Sequence, residues 1–157
     1  MTTYWTESQT FWNNVILRVA MTVTGVAMVG LTVWGAAGGV EGEVIATMVL
    51  GLGVLLLVSR LTLRTRVTDE GLKVRLAVLS KTYRWEDIAS AEVRTYNPIL
   101  EYGGWGLRLF VGGWAWNVHG DEGVQLVLTS GTRVLVGSQE APALAAQIRA
   151  KMEACAR

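Results

Sequence analysis

The sequence predicts a two-part membrane protein: a two-helix transmembrane hairpin over 1–66, then a water-facing antiparallel β-barrel or sandwich closed by a C-terminal α-helix over 67–157. Three observations lead there. Two long apolar runs fill the first part, apolar residues alternate with period two after Arg66, and a helical period returns after Ser138. The whole-chain figures conceal this division, with 51% of 157 residues apolar, 17% charged and a net charge of +1. Seven charged residues lie in 1–66 and twenty in 67–157, ten of each sign in the second part. Such neutrality excludes a sequence-independent nucleic-acid binder, which needs excess Lys and Arg to displace counterions. One cysteine, Cys155, and one histidine, His119, exclude an intramolecular disulfide framework, a cysteine-based zinc site and a multi-histidine metal centre.

Ser8 to Val40 carries a single charge, Arg18, and Val44 to Ser59 carries none. About 20 apolar residues cross a bilayer as helix, so spans are expected at about 12–34 and 44–62. Trp12 and Trp34 mark the ends of the first, matching the aromatic belts at the two interfaces. A cleaved signal peptide does not fit, because the run is too long, lacks an early basic region and is followed by a second apolar segment. Gly35 to Gly39, with Glu41 and Glu43, reads as the polar turn of the hairpin. Arg18 lies near the start of the first span and Arg60, Arg64 and Arg66 after the second. The positive-inside rule therefore places both termini in the cytoplasm, with the protein multi-pass in the inner membrane. Those three arginines form a basic collar that attracts anionic lipid. Tyr4, Trp5, Phe11 and Trp12 suggest a segment lying on the headgroups. Ala20, Thr24, Gly25 and Ala27, with Gly51 and Gly53, allow close helix contact, either within the hairpin or with another chain.

Beyond Arg66, Asp69-Glu70-Gly71 supplies a tight turn, and Leu72, Val74, Leu76 and Val78 alternate with Lys73, Arg75, Ala77 and Leu79. Thr82 to Trp85 and Ala91 to Tyr96 continue as strands, the latter stopped by Asn97-Pro98. Trp105–Val111, Trp114–Val118, Val124–Leu128 and Thr132–Val136 supply four more, joined by glycine-containing connectors. Short strands at regular spacing curl into one antiparallel barrel or sandwich. A helix capped by Ser138 follows, with Leu144, Ala145, Ile148, Met152 and Cys155 as its apolar stripe and Pro142 in its first turn.

This arrangement resembles the pleckstrin-homology-like (PH-like) fold, and in particular the bacterial PH-like domains fused to pairs of transmembrane helices. Thr68-Asp69-Glu70-Gly71-Leu72 resembles their opening hairpin, and Trp85-Glu86-Asp87-Ile88 resembles their turn into a strand. Tyr102-Gly103-Gly104-Trp105-Gly106, Asn117-Val118 with Gly120, and Gly137-Ser138-Gln139 are similar to a small group of bacterial membrane proteins of this kind. The resemblance covers about residues 60–157 and implies a scaffold rather than a reaction. Eukaryotic PH domains often bind phosphoinositides through basic residues of the first hairpin loop, where this chain has Asp69 and Glu70. Several bacterial PH-like membrane proteins are assembly factors or accessory subunits of membrane complexes, photosynthetic ones among them.

The Gly/Trp-rich stretch Asn97–Gly123 is the expected interaction surface, with Trp105, Trp114, Trp116 and Tyr102 as candidate anchors; the competing reading is that such aromatics fill the barrel. Gly103-Gly104-x-Gly106 neither precedes a helix nor carries the Lys and Ser/Thr of a nucleotide loop. His119, between Asn117 and Asp121, reads as a solvated turn residue, and Ser138 as a cap, because no Gly-x-Ser-x-Gly elbow surrounds it. With no nucleophile, acid–base pair or metal set, the expectation is no catalytic residue, no metal and no cofactor. The function expected is a non-enzymatic membrane-anchored interaction module, an accessory or assembly subunit of a photosynthetic or respiratory membrane complex. A homo-oligomeric scaffold or stress-sensing PH-like protein is the alternative. Membrane lipids, other integral-membrane proteins or copies of the chain itself are the expected partners.

Overall fold

In the computed structural model, which describes residues 2–38 and 42–155, the chain forms two compact units: Met1–Gln9 with Thr62–Arg157, and Thr10–Leu61. The first unit holds nine strands in two sheets among the described residues. One sheet has the order β1(Thr3–Thr10), β2(Thr62–Thr68), β3(Gly71–Leu76), β4(Leu79–Arg84). The other consists of β5(Ile88–Thr95), β6(Gly106–Phe110), β7(Gly113–Asn117), β8(Glu122–Leu128) and β9(Arg133–Gly137), in the spatial order β5-β8-β9-β7-β6.

Side-chain alternation builds the core between them. Leu63, Val67, Leu72, Val74 and Leu76 are buried on β2 and β3, while Arg64, Arg66 and Arg75 between them are exposed. Val124, Leu126, Val134 and Val136 bury the facing side of the second sheet. The indole of Trp116 ties the two sheets, donating from Nε1 to the Tyr83 hydroxyl at 3.0 Å inside the core. Trp85, in a single 3₁₀ turn, donates from Nε1 to the Thr68 and Asp69 carbonyls, locking the Asp69-Glu70 turn to the start of β5. The Trp-Glu-Asp-Ile segment therefore serves packing.

Residues before the helices complete this unit. Tyr4 and Trp5, expected on lipid headgroups, belong to β1, the neighbour of β2. Glu7 accepts from the Ser138 hydroxyl at 2.6 Å and the Gln139 amide at 2.8 Å, and also holds the Gln9 amide group. Gln9, buried, donates to the Gly137 carbonyl at 3.1 Å. Helix α4(Ala141–Cys155) follows; its first-turn geometry differs from a simple Ser138 cap, since Ser138 instead accepts from the Glu140 amide and donates to Glu7. Ala141, Leu144, Ala145 and Ile148 are buried on α4, but Met152 is only partly covered and Cys155 is exposed, so the apolar stripe ends one turn early.

Other boundaries differ from the sequence expectation for local reasons. The alternation expected through Val78 stops at Leu76, because Leu76 pairs with Leu79 around a two-residue turn in which Ala77 takes φ 52°. Arg64 and Arg66, expected beside a helix end, stand on β2. Asn97-Pro98 both stops β5 and starts a short helix, α3(Pro98–Tyr102). The Asn97 side chain accepts from the Ile99 and Leu100 amides, proline sits in the first turn, and Gly103 closes the helix at φ 68°.

The second unit contains α1(Val15–Gly38) and α2(Gly42–Ser59). Helix α1 begins after Asn14, whose Oδ1 accepts from the Leu17 amide, and Trp12 lies just before it in a 3₁₀ turn. Gly35–Gly38, read as a turn, remain helical; Gly39, Val40 and Glu41 of that expected turn lie outside the described residues. The helices meet where Gly25 faces Leu52 and Leu55, and Gly51 faces Met28. Gly53 has nothing near it and Ala20, Thr24 and Ala27 are exposed, so only two of the six small residues serve this contact. Elsewhere the pair is apolar on its outside, with Val26, Leu50, Leu57 and Trp34 each more than two-thirds exposed. Helix α1, 24 residues long, is long and apolar enough to cross a membrane. The apolar stretch of α2, Val44–Ser59, is shorter.

Candidate interaction surface

The four aromatic residues expected to anchor a partner do not form one surface. Trp116 is buried against Tyr83, and Tyr102, the last residue of α3, is buried as well. Tyr102 packs edge-on to Tyr96 and Phe110, with ring centroids 5.5 and 5.0 Å apart, in a small cluster with Ala115 and Leu135 on the outer side of the second sheet. Trp105 is half-buried, its Nε1 directed at the Gly120 carbonyl at 3.5 Å. These three fill space. Trp114 alone is open, at 42% exposure.

Trp114 is the entrance to a surface that includes residues of another type. Antiparallel register puts Leu109 of β6 directly opposite Trp114, and Phe110 opposite Gly113, leaving Val111-Gly112 as a two-residue turn. Leu109 is 70% exposed and Val111 99%, so the hairpin presents an apolar tip to solvent. Gly112 takes φ 92°, and a Cβ on Gly113 would collide with the Arg133 carbonyl of β9. Glycine thus lets β7 lie parallel and close to β9 while the tip projects. Strand β6 is the edge of its sheet and Arg108 is its one charge. Sheet edges of this kind invite pairing, and native chains usually protect them with charge or bulges. Leu109 and Val111 escaped the sequence reading because period two shows which residues share a face but not which neighbour covers it.

The remaining candidates are dispersed. His119 is half-buried in its turn, with a shielded Nδ1. Among the described residues no group of three or more His, Cys, Asp and Glu could hold a metal ion. Ser138 is engaged by Glu7 and the Glu140 amide. Gly103, Gly104 and Gly106 form the positive-φ connection between α3 and β6. Asp69 accepts from the Tyr4 hydroxyl at 2.5 Å and the Thr2 amide at 3.0 Å, and Lys151 lies nearby. Those hydrogen bonds, Tyr4 first, hold its carboxyl below the usual carboxylate range. Burial raises the hydroxyls of Tyr83 and Tyr102, and pushes Tyr96 up to about 12. The shifted groups do not share one opening. Of the interface residues expected from sequence, Trp12 and Trp34 are exposed in the helical unit, and Arg60 follows the last turn of α2. Arg64 and Arg66 point outward from β2.

Comparison with known proteins agrees with the two-sheet fold and its closing helix. The bacterial PH domain family matches residues 62–155, from the start of β2 to the end of α4. Neither the curated proteins nor the solved structures yield a match. Domains of this fold are generally non-catalytic modules that bind proteins or lipids. The family match begins after the helices, while the structure adds β1 from before them to the same sheet. This chain belongs to the bacterial PH domain family.

Proposed function

We propose that the chain is a non-enzymatic, membrane-anchored interaction module, serving as an accessory or assembly subunit of a larger integral-membrane complex such as a respiratory or photosynthetic one. The observation that carries this reading is the projecting Leu109–Val111–Trp114 hairpin on a domain whose other large apolar side chains are mostly buried. Exposed apolar patches with an aromatic anchor are characteristic of protein contacts.

The anchor follows from the helical unit and its place in the sequence. Side chains such as Val26, Leu50 and Leu57 need an apolar solvent, and a bilayer supplies it. Strands β1 and β2 are neighbours in one sheet, yet residues 11–61 separate them in the chain. A chain that returns to the same sheet must cross a bilayer an even number of times, which favours α2 as the second span of a multi-pass anchor. Its apolar length, about 24 Å as helix, is accommodated by local thinning of the bilayer. Arg18, Arg60, Arg64 and Arg66 on the flanks then orient both termini toward the cytoplasm.

The unpaired edge of β6 favours a second reading, self-association into a homo-oligomeric scaffold. Purification from native membranes in mild detergent tests both. Wild-type chain is expected to carry specific membrane proteins that are lost with Leu109→Ser/Val111→Ser while the fold is retained. Homo-oligomers dispersed by the same substitutions favour the scaffold. A wild-type monomer without companions contradicts both readings.

A further inference from the structure

The first sheet ends at β4 without cover. Of the six residues of β4, Tyr83 alone is buried. Lys81 stands opposite Val74, and Leu79 opposite Leu76; both partners are buried on the inner face, yet Lys81 and Leu79 are exposed. The core therefore stops one strand short of the sheet's edge. Helix α4 serves the β5 edge of the other sheet instead, where Arg149 Nε donates to the Ala91 carbonyl at 2.8 Å. Register identifies the groups left open on β4. The Ala77 amide donates to the Thr62 carbonyl on the β2 side, and Leu76 and Leu79 close the two-residue turn as a bonded pair. Hydrogen-bonded and non-bonded pairs alternate along an antiparallel ladder. Lys81 and Tyr83 thus bond to β3, while the amides and carbonyls of Ser80 and Thr82 point away from it. Among the described residues no strand pairs with that edge. A row of this kind accepts an added strand.

The edge opens on a groove of about 1090 Å³ whose lining includes Thr82, Trp85, Ile88 and Met152. Charge on its walls selects the occupant. Asp69 is engaged by Tyr4 and Thr2, and Glu86 pairs with Arg84 at 2.8 Å. Glu70, Asp87 and Glu153 also line the groove, are exposed, and form no ion pair among the described residues. With Arg84 paired, Lys81 is the one cation left beside them on the lining. On the outer face of the sheet, Lys73 and Arg75 stand across from Thr82 and Ser80. A cationic side chain is therefore favoured on the groove side of an added strand and disfavoured on its outer side. We propose that β4 and this groove bind an extended segment of a partner protein as a fifth strand of the sheet. The segment carries Lys or Arg at its groove-facing positions and uncharged residues between them. The site is separate from the β6–β7 tip, and it operates whether or not the chain is anchored in a membrane.

Peptide binding to the full chain in neutral detergent micelles tests it. The probes are a fluorescent heptapeptide of alternating lysine and threonine and its glutamate–threonine counterpart. The lysine peptide is expected to bind saturably by fluorescence anisotropy, and the glutamate peptide not to bind. Exchange of the Ser80 and Thr82 amides with solvent is expected to be fast in the free chain and to slow by about tenfold or more with the lysine peptide bound. The Lys81 amide, already in the β3 ladder, is expected to be protected in both states. Thr82→Pro removes an edge donor while sparing that ladder, and is expected to abolish binding. Glu70→Gln, Asp87→Asn and Glu153→Gln are each expected to weaken binding about two- to fivefold, as for an exposed ion pair. Equal binding of the two peptides, no binding of the lysine peptide, or binding that leaves Ser80 and Thr82 exchange unchanged overturns the site. Ser80 and Thr82 amides already protected in the free chain also overturn it, since a second copy then occupies the edge. If Thr82→Pro does not fold, amide exchange and the three acid variants carry the decision.

Discussion

Removing the Glu7 carboxylate probes the link between the segment before the helices and the domain after them. Glu7 lies in β1, and its oxygens receive the Ser138 hydroxyl at 2.6 Å, the Gln139 amide at 2.8 Å and the Gln9 side-chain amide at 2.8 Å. Two of these donors stand at the entrance to α4, where peptide N–H groups lack helical partners and a negative charge is favoured. A hydrogen bond to a charged group contributes about 1.5–3 kcal/mol when well buried, and Glu7 is half-exposed, so the lower end applies. Glu7→Ala leaves the Gln139 amide without its acceptor and is expected to cost about 2–3 kcal/mol in total. Glu7→Gln keeps one acceptor oxygen and loses the charge, with an expected cost of about half that. The neighbouring Ser8→Ala, on an exposed side chain, is a control expected within about 0.5 kcal/mol of wild type. Thermal unfolding by tryptophan fluorescence gives the stability, and hydrogen exchange at Gln139 reports the local contact. Unchanged unfolding together with unchanged exchange at Gln139 in Glu7→Ala would refute the assignment of β1 to the domain.

Three further outcomes follow from the same structure. Tyr96 holds its proton to about 12 against an ordinary 10.0 because it is buried, so the folded state binds that proton more tightly than the unfolded one. Its stability contribution is complete below pH 10 and is lost as pH rises toward 12, about 2–3 kcal/mol in all. Tyr96→Phe is expected to flatten that part of the unfolding pH profile. Ala77→Gly relieves a left-handed alanine and is expected to raise stability by about 0.5–1 kcal/mol, after the extra unfolded-state freedom of glycine is deducted; unfolding midpoints measure it. In Cys155→Ser chains, single cysteines at Thr6 and at Glu153 are expected to react with an impermeant reagent from the same membrane face. Labelling from opposite faces rules out the paired crossing.

Much of the fold was legible because alternation acts locally. Strands β3 and β5 to β9, the Asp69–Gly71 turn and the closing helix all appear within a residue or a few of their expected positions. Strand β1 was not legible, since its neighbour in the sheet begins 52 residues after it ends and its aromatic residues equally suit a headgroup layer. Arg64 and Arg66 satisfied a rule about helix flanks while standing in a ladder, because the positive-inside rule counts charges and is indifferent to the structure that holds them. Helix α3 carried its signals, Asn97 before Pro98 and Gly103 after Tyr102, but a five-residue helix has no periodicity to confirm them. At the interaction surface the chemistry of tryptophan was a poor guide. Trp114 and Trp116 share a face of β7, yet Trp116 is buried and bonded to Tyr83 while Trp114 is exposed. What exposes Trp114, Leu109 and Val111 is their position at the end and edge of a sheet, which depends on the strand order and not on any local pattern.

Photo-crosslinking in native membranes addresses the interaction surface most directly. A photoreactive amino acid at Leu109 samples the exposed tip of the hairpin, and one at Ser130 samples an exposed polar turn as the reference. One dominant adduct with another membrane protein is expected from position 109, absent from position 130 and abolished by Trp114→Ala in a chain that retains its fold. Equal labelling from the two positions, or no adduct at 109, contradicts it.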